Sequence, residues 1–115
     1  SMRSALELFA TMGGNRKVLI LGDMLELGDH AHAEHRLLGN AIQRVEADIV
    51  VLVGSEMEIT SQTVTSIYEP LANGETMQRI AGLLRSGDTV LLKGSRGLEL
   101  ERIIDIKRQT KVSNP

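Results

Sequence analysis

Cysteine and tryptophan are missing from this chain, phenylalanine and tyrosine occur once each, and proline occurs twice. Without thiols there is no disulfide, no thiolate metal site and no cysteine nucleophile. So few aromatics leave little on which bases can stack, which argues against a single-strand nucleic-acid binder. No apolar run approaches the roughly 20 residues that span a bilayer. The opening stretch, Ser1 to Phe9, lacks the apolar core of a secretory signal, and a cytoplasmic setting is expected. An excess of one charge is absent as well. Thirteen Lys and Arg against 15 Asp and Glu give a net charge of −2, too little to draw nucleic acid or a membrane surface.

What is present fits one domain, 1–115, with enough chain to bury a core. Met2, Ala5, Leu6, Phe9 and Met12 recur at helical spacing until Gly13-Gly14. "KVLIL" and "DIVVLVG" are continuous apolar runs, as in strands covered on both faces. Between them, Ala33 to Val45 reads as a helix with Leu37, Leu38, Ala41, Ile42 and Val45 on one side. Ser55 to Ala72 reads as a short helix and then a weak strand, Ile67 to Glu69, which Pro70 excludes from a central position. Asn73 is a helix N-cap with Met77, Ile80, Ala81 and Leu84 facing inward. Ser86-Gly87-Asp88 turns into "TVLLKG", a third buried strand. A last helix is expected over Leu98 to Ile106, followed by a frayed polar tail. Strands alternate with helices and no short hairpin turn joins two of them. The pattern predicts an α/β fold, a mostly parallel sheet with helices on both faces.

In such a sheet, ligands gather beyond the carboxyl ends of the strands. Three ends are legible: Gly22-Asp23, Gly54-Ser55 and Gly94-Ser95-Arg96. Their glycines either let the backbone approach a ligand or simply serve turn geometry. Lys93 and Arg96 flank Gly94-Ser95 just before a helix, an arrangement that suits a phosphate or carboxylate. The plainer alternative makes Ser95 an N-cap and leaves both cations in solvent. Neither a phosphate loop nor Gly-x-Gly-x-x-Gly occurs, so any nucleotide role is shared with another domain. His30, His32 and His35, with Asp29 and Glu34, match neither His-Glu-x-x-His nor a zinc finger. Capping or solvation explains Asp29 and His30 more simply, no metal site is expected, and His35 remains a candidate for a cleft wall. No serine sits in a Gly-x-Ser-x-Gly elbow.

Together, "VLILGDMLELGDHAHAEHRLLG" and the later "GDTVLLKGSRGLELERII" resemble the C-terminal domain of the Mur ligases. The likeness is carried by Gly22-Asp23-Met24-x-Glu26-Leu27-Gly28, by His35 and Gly39, and by Lys93-Gly94-Ser95-Arg96. Ser1-Met2-Arg3 is similar to the end of the family's "YNANPxSMR" segment. Within the family the resemblance is strongest to the branch that joins D-alanyl-D-alanine to UDP-N-acetylmuramoyl-tripeptide. The Asp-Asn-Pro-Arg motif of the diaminopimelate-adding branch is absent.

The resemblance implies a Rossmann-like fold and a three-domain ligase that uses ATP and Mg2+, forms an acyl phosphate and builds peptidoglycan precursor. It also implies that this chain is the third domain, without the UDP-sugar domain and the central ATPase domain that would be its partner. No catalytic residue and no ligase activity are then expected of the chain alone, and no tightly held cofactor. By the same resemblance, Asp23 and Glu26 would face the nucleotide and substrate crevice, or Asp23 would hold its turn by accepting backbone N–H groups. Lys93, Ser95 and Arg96 would meet the dipeptide carboxylate or the phosphates, and His35 would line the cleft or brace the Gly22 to Gly28 loop. Two alternatives stay open: a free-standing α/β module that binds an anion or nucleotide, and the equivalent domain of another Mur or folylpolyglutamate ligase.

Overall fold

Four parallel strands lie in the order β3-β2-β1-β4: β1 (Arg16–Gly22), β2 (Ile49–Val53), β3 (Ile67–Glu69) and β4 (Asp88–Lys93). The computed structural model describes residues 1–24 and 31–113, and the side chains of 1–24 and 33–109. Helices α1 (Met2–Ala10), α2 (Ala31–Val45) and the short α3 (Glu58–Ser61) cover one face, while α4 (Gly74–Leu83) and α5 (Arg102–Ser113) cover the other. This is the parallel sheet with helices on both faces that the alternation of strands and helices predicts, and it agrees with the Rossmann-like fold that the family resemblance implies. Among the described residues no helix is long and apolar enough to cross a membrane.

The alternation of side chains along a strand sorts the apolar runs between two cores. Leu19 and Leu21 of β1 pack with Leu6, Phe9, Leu38 and Ile42. Val18 and Ile20, one residue out of phase, pack with Met77, Ile80 and Ile103 on the opposite face. All four of these β1 residues are fully buried, as the unbroken run requires.

Local signals set the helix ends. The Ser1 hydroxyl accepts the Ser4 N–H at 3.2 Å, and Asn73 Oδ1 accepts the Thr76 N–H at 2.9 Å. Met77, Ile80, Ala81 and Leu84 face inward as expected. Strand β3 stands at the sheet edge, where Pro70 permits it.

Several expectations are corrected. Strand β4 is the other edge rather than a third buried strand: Asp88 to Leu92 are half-buried and Lys93 is exposed. Leu37 (47% exposed) and Met12 (46%) lie outside the core, because helical spacing does not show how wide the covered stripe is. The last helix begins at Arg102, not Leu98, since Arg96–Leu98 forms a separate turn of 3-10 helix. That turn ends on Glu99, whose positive φ of 52° breaks the helical run. The polar tail expected to fray continues α5 as far as Ser113.

Candidate functional site

The chain moves outward from β1 to β2 and β3, then returns to lay β4 on the other side of β1. The crevice at such a reversal, beyond the carboxyl ends of the strands, is where open α/β sheets bind ligands. Here it lies between the end of β1, Gly22-Asp23-Met24, and the end of β4, Lys93 to Arg96. The two ends touch: the Ser95 N–H donates to the Asp23 carbonyl at 2.9 Å. The Asp23 N–H donates to Val53 O at 3.1 Å, and the Gly54 N–H donates to Glu69 O at 2.8 Å. All four strand ends are therefore laced together by backbone hydrogen bonds.

Asp23 is only 6% exposed. Its Oδ1 accepts the Met57 N–H at 3.1 Å, so the carboxylate turns inward toward the loop after β2. Burial pushes the Asp23 carboxyl above its ordinary range, while the Glu56 and Met57 N–H groups and the charge of His35 pull it back. The Asp23 carboxylate accepts backbone N–H groups, as one of its two expectations has it, but from the turn after β2 rather than from its own turn. His35 is fully buried in α2, so it forms no open cleft wall. Its backbone carbonyl accepts the Thr60 hydroxyl at 2.6 Å, and its charge acts on Asp23.

The strand-end glycines are filled from within the protein rather than left open to a ligand. A Cβ on Gly22 would stand 2.3 Å from Leu98 Cδ1, and one on Gly94 would stand 3.0 Å from Gly22 Cα. A Cβ on Gly54 would stand 2.3 Å from the Asp23 carboxyl carbon. The close approach read from the sequence is real, but its partners are Leu98, Leu100 and Asp23.

Lys93 and Arg96 are exposed, and among the described residues neither takes part in an ion pair. Ser95 opens the 3-10 turn without the expected capping bond, and its Oγ is buried with no hydrogen-bond partner among the described residues. The anion site expected at an α-helix N-terminus is therefore a cation-bearing loop instead. A shallow pocket of about 190 Å³ is lined by Met2, Met24, Lys93, Gly94 and Ser95. Beside it, sharing Met2 and Met24, lies another of about 220 Å³ with Arg3 and Glu34 in its wall.

Sequence reasoning missed Met2 and Met24 as pocket walls, because methionine at helical spacing or beside a turn reads as core. It also missed Tyr68, whose hydroxyl donates to Gly54 O at 2.8 Å. Glu26, Asp29 and His30 lie outside the described residues, as does the side chain of His32. Among the described residues, no three His, Asp or Glu side chains gather as a metal would need.

Residues 1–96 match a family model described as Mur ligase, glutamate ligase domain. UDP-N-acetylmuramoyl-tripeptide–D-alanyl-D-alanine ligase of Bacillus subtilis (strain 168) is 31% identical over 111 residues, covering 90% of this chain and 24% of that protein. The protein of the same name from Escherichia coli (strain K12) is 34% identical over 107 residues, covering 90% of this chain and 23% of its own. The crystal structure of MurF ligase from Thermotoga maritima in complex with ADP superimposes with a TM-score of 0.72. It is 24% identical, over 93% of this chain and 25% of that one, a likeness that speaks to fold. The chain spans about a quarter of the length of the curated relatives it matches.

Proposed function

The chain belongs to the Mur ligase family, matching its glutamate ligase domain, and on that premise we propose that it is the C-terminal domain of a ligase joining D-alanyl-D-alanine to UDP-N-acetylmuramoyl-tripeptide. The setting is peptidoglycan precursor synthesis in the cytoplasm. Support comes from the names of the relatives and from their length, of which this chain accounts for about a quarter. The remaining length has room for a UDP-sugar domain and a central ATPase domain, the partner of this chain within one polypeptide.

The proposed chemistry is ATP-driven amide formation. The tripeptide carboxylate attacks the γ-phosphorus of ATP and expels ADP; the dipeptide amine then attacks the acyl carbon and expels inorganic phosphate. This chain contributes one wall of the cleft in which that happens. Lys93 and Arg96, exposed and in no ion pair among the described residues, fit an anionic group: the dipeptide carboxylate or part of the phosphate charge. Ser95 stands between them, and Glu26 belongs to the neighbouring loop. His35, buried in α2, is assigned a bracing role on the strand-end side of that loop rather than a contact with substrate.

Two loose cations fit a share of the phosphate charge and no more. A phosphate loop is absent from the sequence, and the described residues gather no carboxylate set for Mg2+. The main phosphate cradle and the metal are therefore assigned to the central domain, and the chain alone is expected to be inactive. Its work is orientation and water exclusion, which protect the acyl phosphate from hydrolysis.

The observation that carries this reading is the Ser95 to Asp23 hydrogen bond, which holds the cation-bearing loop at the sheet's switch point. The test is coupled ADP release by the full-length polypeptide, offered D-alanyl-D-alanine, single amino acids and folate-linked glutamate acceptance in turn. Release that depends on the dipeptide is expected, and equal release with another amine overturns the substrate assignment. The same free cations also suit a stand-alone anion-binding module. Micromolar binding of nucleotide or phosphate by this chain alone, measured by calorimetry, favours that second reading.

A further inference from the structure

One carboxylate at the carboxyl edge of the sheet is surrounded by backbone. Asp23 gives its N–H to Val53 O of β2 and takes the Ser95 N–H on its own carbonyl. Its Oδ1 takes the Met57 N–H from the turn after β2, and the Glu56 N–H is directed at the same carboxylate. Gly54 lies so close that an added Cβ would stand 2.4 Å from each of the two oxygens. By contrast, the Lys93 to Arg96 segment projects its charges into solvent beyond the end of β4. Within it, the bond from Ser95 N–H to Asp23 is the tie to β1 that lies past the strand ladder, whose last pair is Leu21 with Lys93.

We propose that Asp23 is a positioning residue that touches no substrate: its carboxylate anchors it to the turn after β2, and from that fixed position its backbone carbonyl holds the Ser95 N–H and so sets the Lys93 to Arg96 segment. The inference rests on the reading above, in which that segment meets an anionic group of the substrates. A carboxylate suits the position because its neighbours from the β2 turn are N–H donors. Asparagine would accept with one atom and turn an NH2 toward a second donor or toward the backbone of Gly54, leaving a buried group unpaired. With the latch loosened, the cations drift from the position where orientation is worth most.

The experiment uses the full-length polypeptide. Asp23→Asn is expected to raise the KM for the amine component about tenfold with little change in kcat. Combined with Arg96→Ala the loss should be smaller than the product of the two single losses, since Asp23→Asn acts through the segment that carries Arg96. If the two losses multiply, or if Asp23→Asn keeps wild-type kinetics, the latch is wrong.

Should Asp23→Asn fail to fold, the pair Ser95→Pro and Ser95→Ala decides. Ser95 has a φ of −65°, which proline adopts, so Ser95→Pro removes the N–H with little backbone strain. A higher KM for Ser95→Pro than for Ser95→Ala supports the latch, and equal values overturn it. Amide exchange across residues 93–98 gives a readout free of ligase chemistry, and the variant that folds should exchange there about tenfold faster than wild type. Faster exchange in an enzyme that ignores the amine would sink the function and spare the latch; unchanged exchange in a working enzyme would do the reverse.

Discussion

Arg16 grips Asp88 through two parallel hydrogen bonds, Nε to Oδ1 at 2.9 Å and Nη2 to Oδ2 at 3.0 Å. The pair joins the first residues of β1 and β4, which face each other in the register, and Asp88 also takes the Arg85 N–H at 2.8 Å. The Arg16 hydrogen bond is the chief cause holding the Asp88 carboxyl below its ordinary range, against the effect of burial. Glu69 is held low in the same way by Arg79. A carboxyl depressed by folding stabilises the protein above its unfolded pKa, and that stability drains as pH falls through the folded value. Asp23, raised chiefly by burial, has the opposite sign: its stability is full below the unfolded value and is lost as pH rises through the folded one. Urea midpoints should therefore fall between about pH 5 and about pH 2 from the two depressed groups. Asp88→Asn should lower the midpoint at neutral pH and flatten the slope through that window. A variant curve parallel to wild type would mean the pair contributes nothing.

Asn73 caps α4 by accepting the Thr76 N–H at 2.9 Å. Alanine at this position leaves that donor to water, at a cost of about 1 kcal/mol, whereas aspartate keeps an acceptor and should be close to neutral. Chemical denaturation of the three proteins measures both differences. Equal stability of the alanine and wild-type forms would show that the cap is idle in solution.

The elements of the fold were legible because β1 and β2 are unbroken apolar runs and α4 carries both a cap and a clear stripe. Edge position was legible only for β3, where Pro70 marks it. Nothing in "TVLLK" announces that β4 has no outer neighbour, since an edge strand half-covered by helices keeps the same apolar residues. At the site, Lys93, Ser95 and Arg96 were singled out from their spacing, and the structure ties Ser95 of that segment to the Asp23 carbonyl. The inward turn of Asp23 was not decidable from the sequence, because it depends on Gly54 and Met57, thirty and more residues away. Leu37 was misread for a related reason: the width of a buried stripe is set by the neighbouring helix rather than by the helix's own period.

Arg96 gives the most direct functional test. Its side chain is exposed and lacks an ion pair among the described residues, so Arg96→Ala should shift stability by no more than about 0.5 kcal/mol. If it holds an anionic group of the substrates, losing a charge-assisted hydrogen bond should cut kcat/KM for the dipeptide about 10- to 100-fold in the full-length polypeptide. Matched melting curves and kinetics on one preparation separate the two effects. Unaltered kinetics would remove Arg96 from the site.

Gly54 and Gly82 should answer the same substitution in opposite directions. Gly54 has φ 113° and ψ 157°, a region nearly confined to glycine, and its added Cβ would meet the Asp23 carboxyl carbon at 2.3 Å. Backbone strain alone costs about 1–3 kcal/mol there, before the carboxylate is displaced. Gly82 lies exposed in the last turn of α4, where an added Cβ meets nothing within 4 Å. Alanine at that position reduces the freedom of the unfolded chain and should stabilise the protein by about 0.5–1 kcal/mol. Urea denaturation of Gly54→Ala and Gly82→Ala side by side checks both signs with one method. If Gly54→Ala were as stable as Gly82→Ala, the tight seat of Asp23 against the β2 turn would not exist in solution, and the carboxylate would be free to turn toward the crevice.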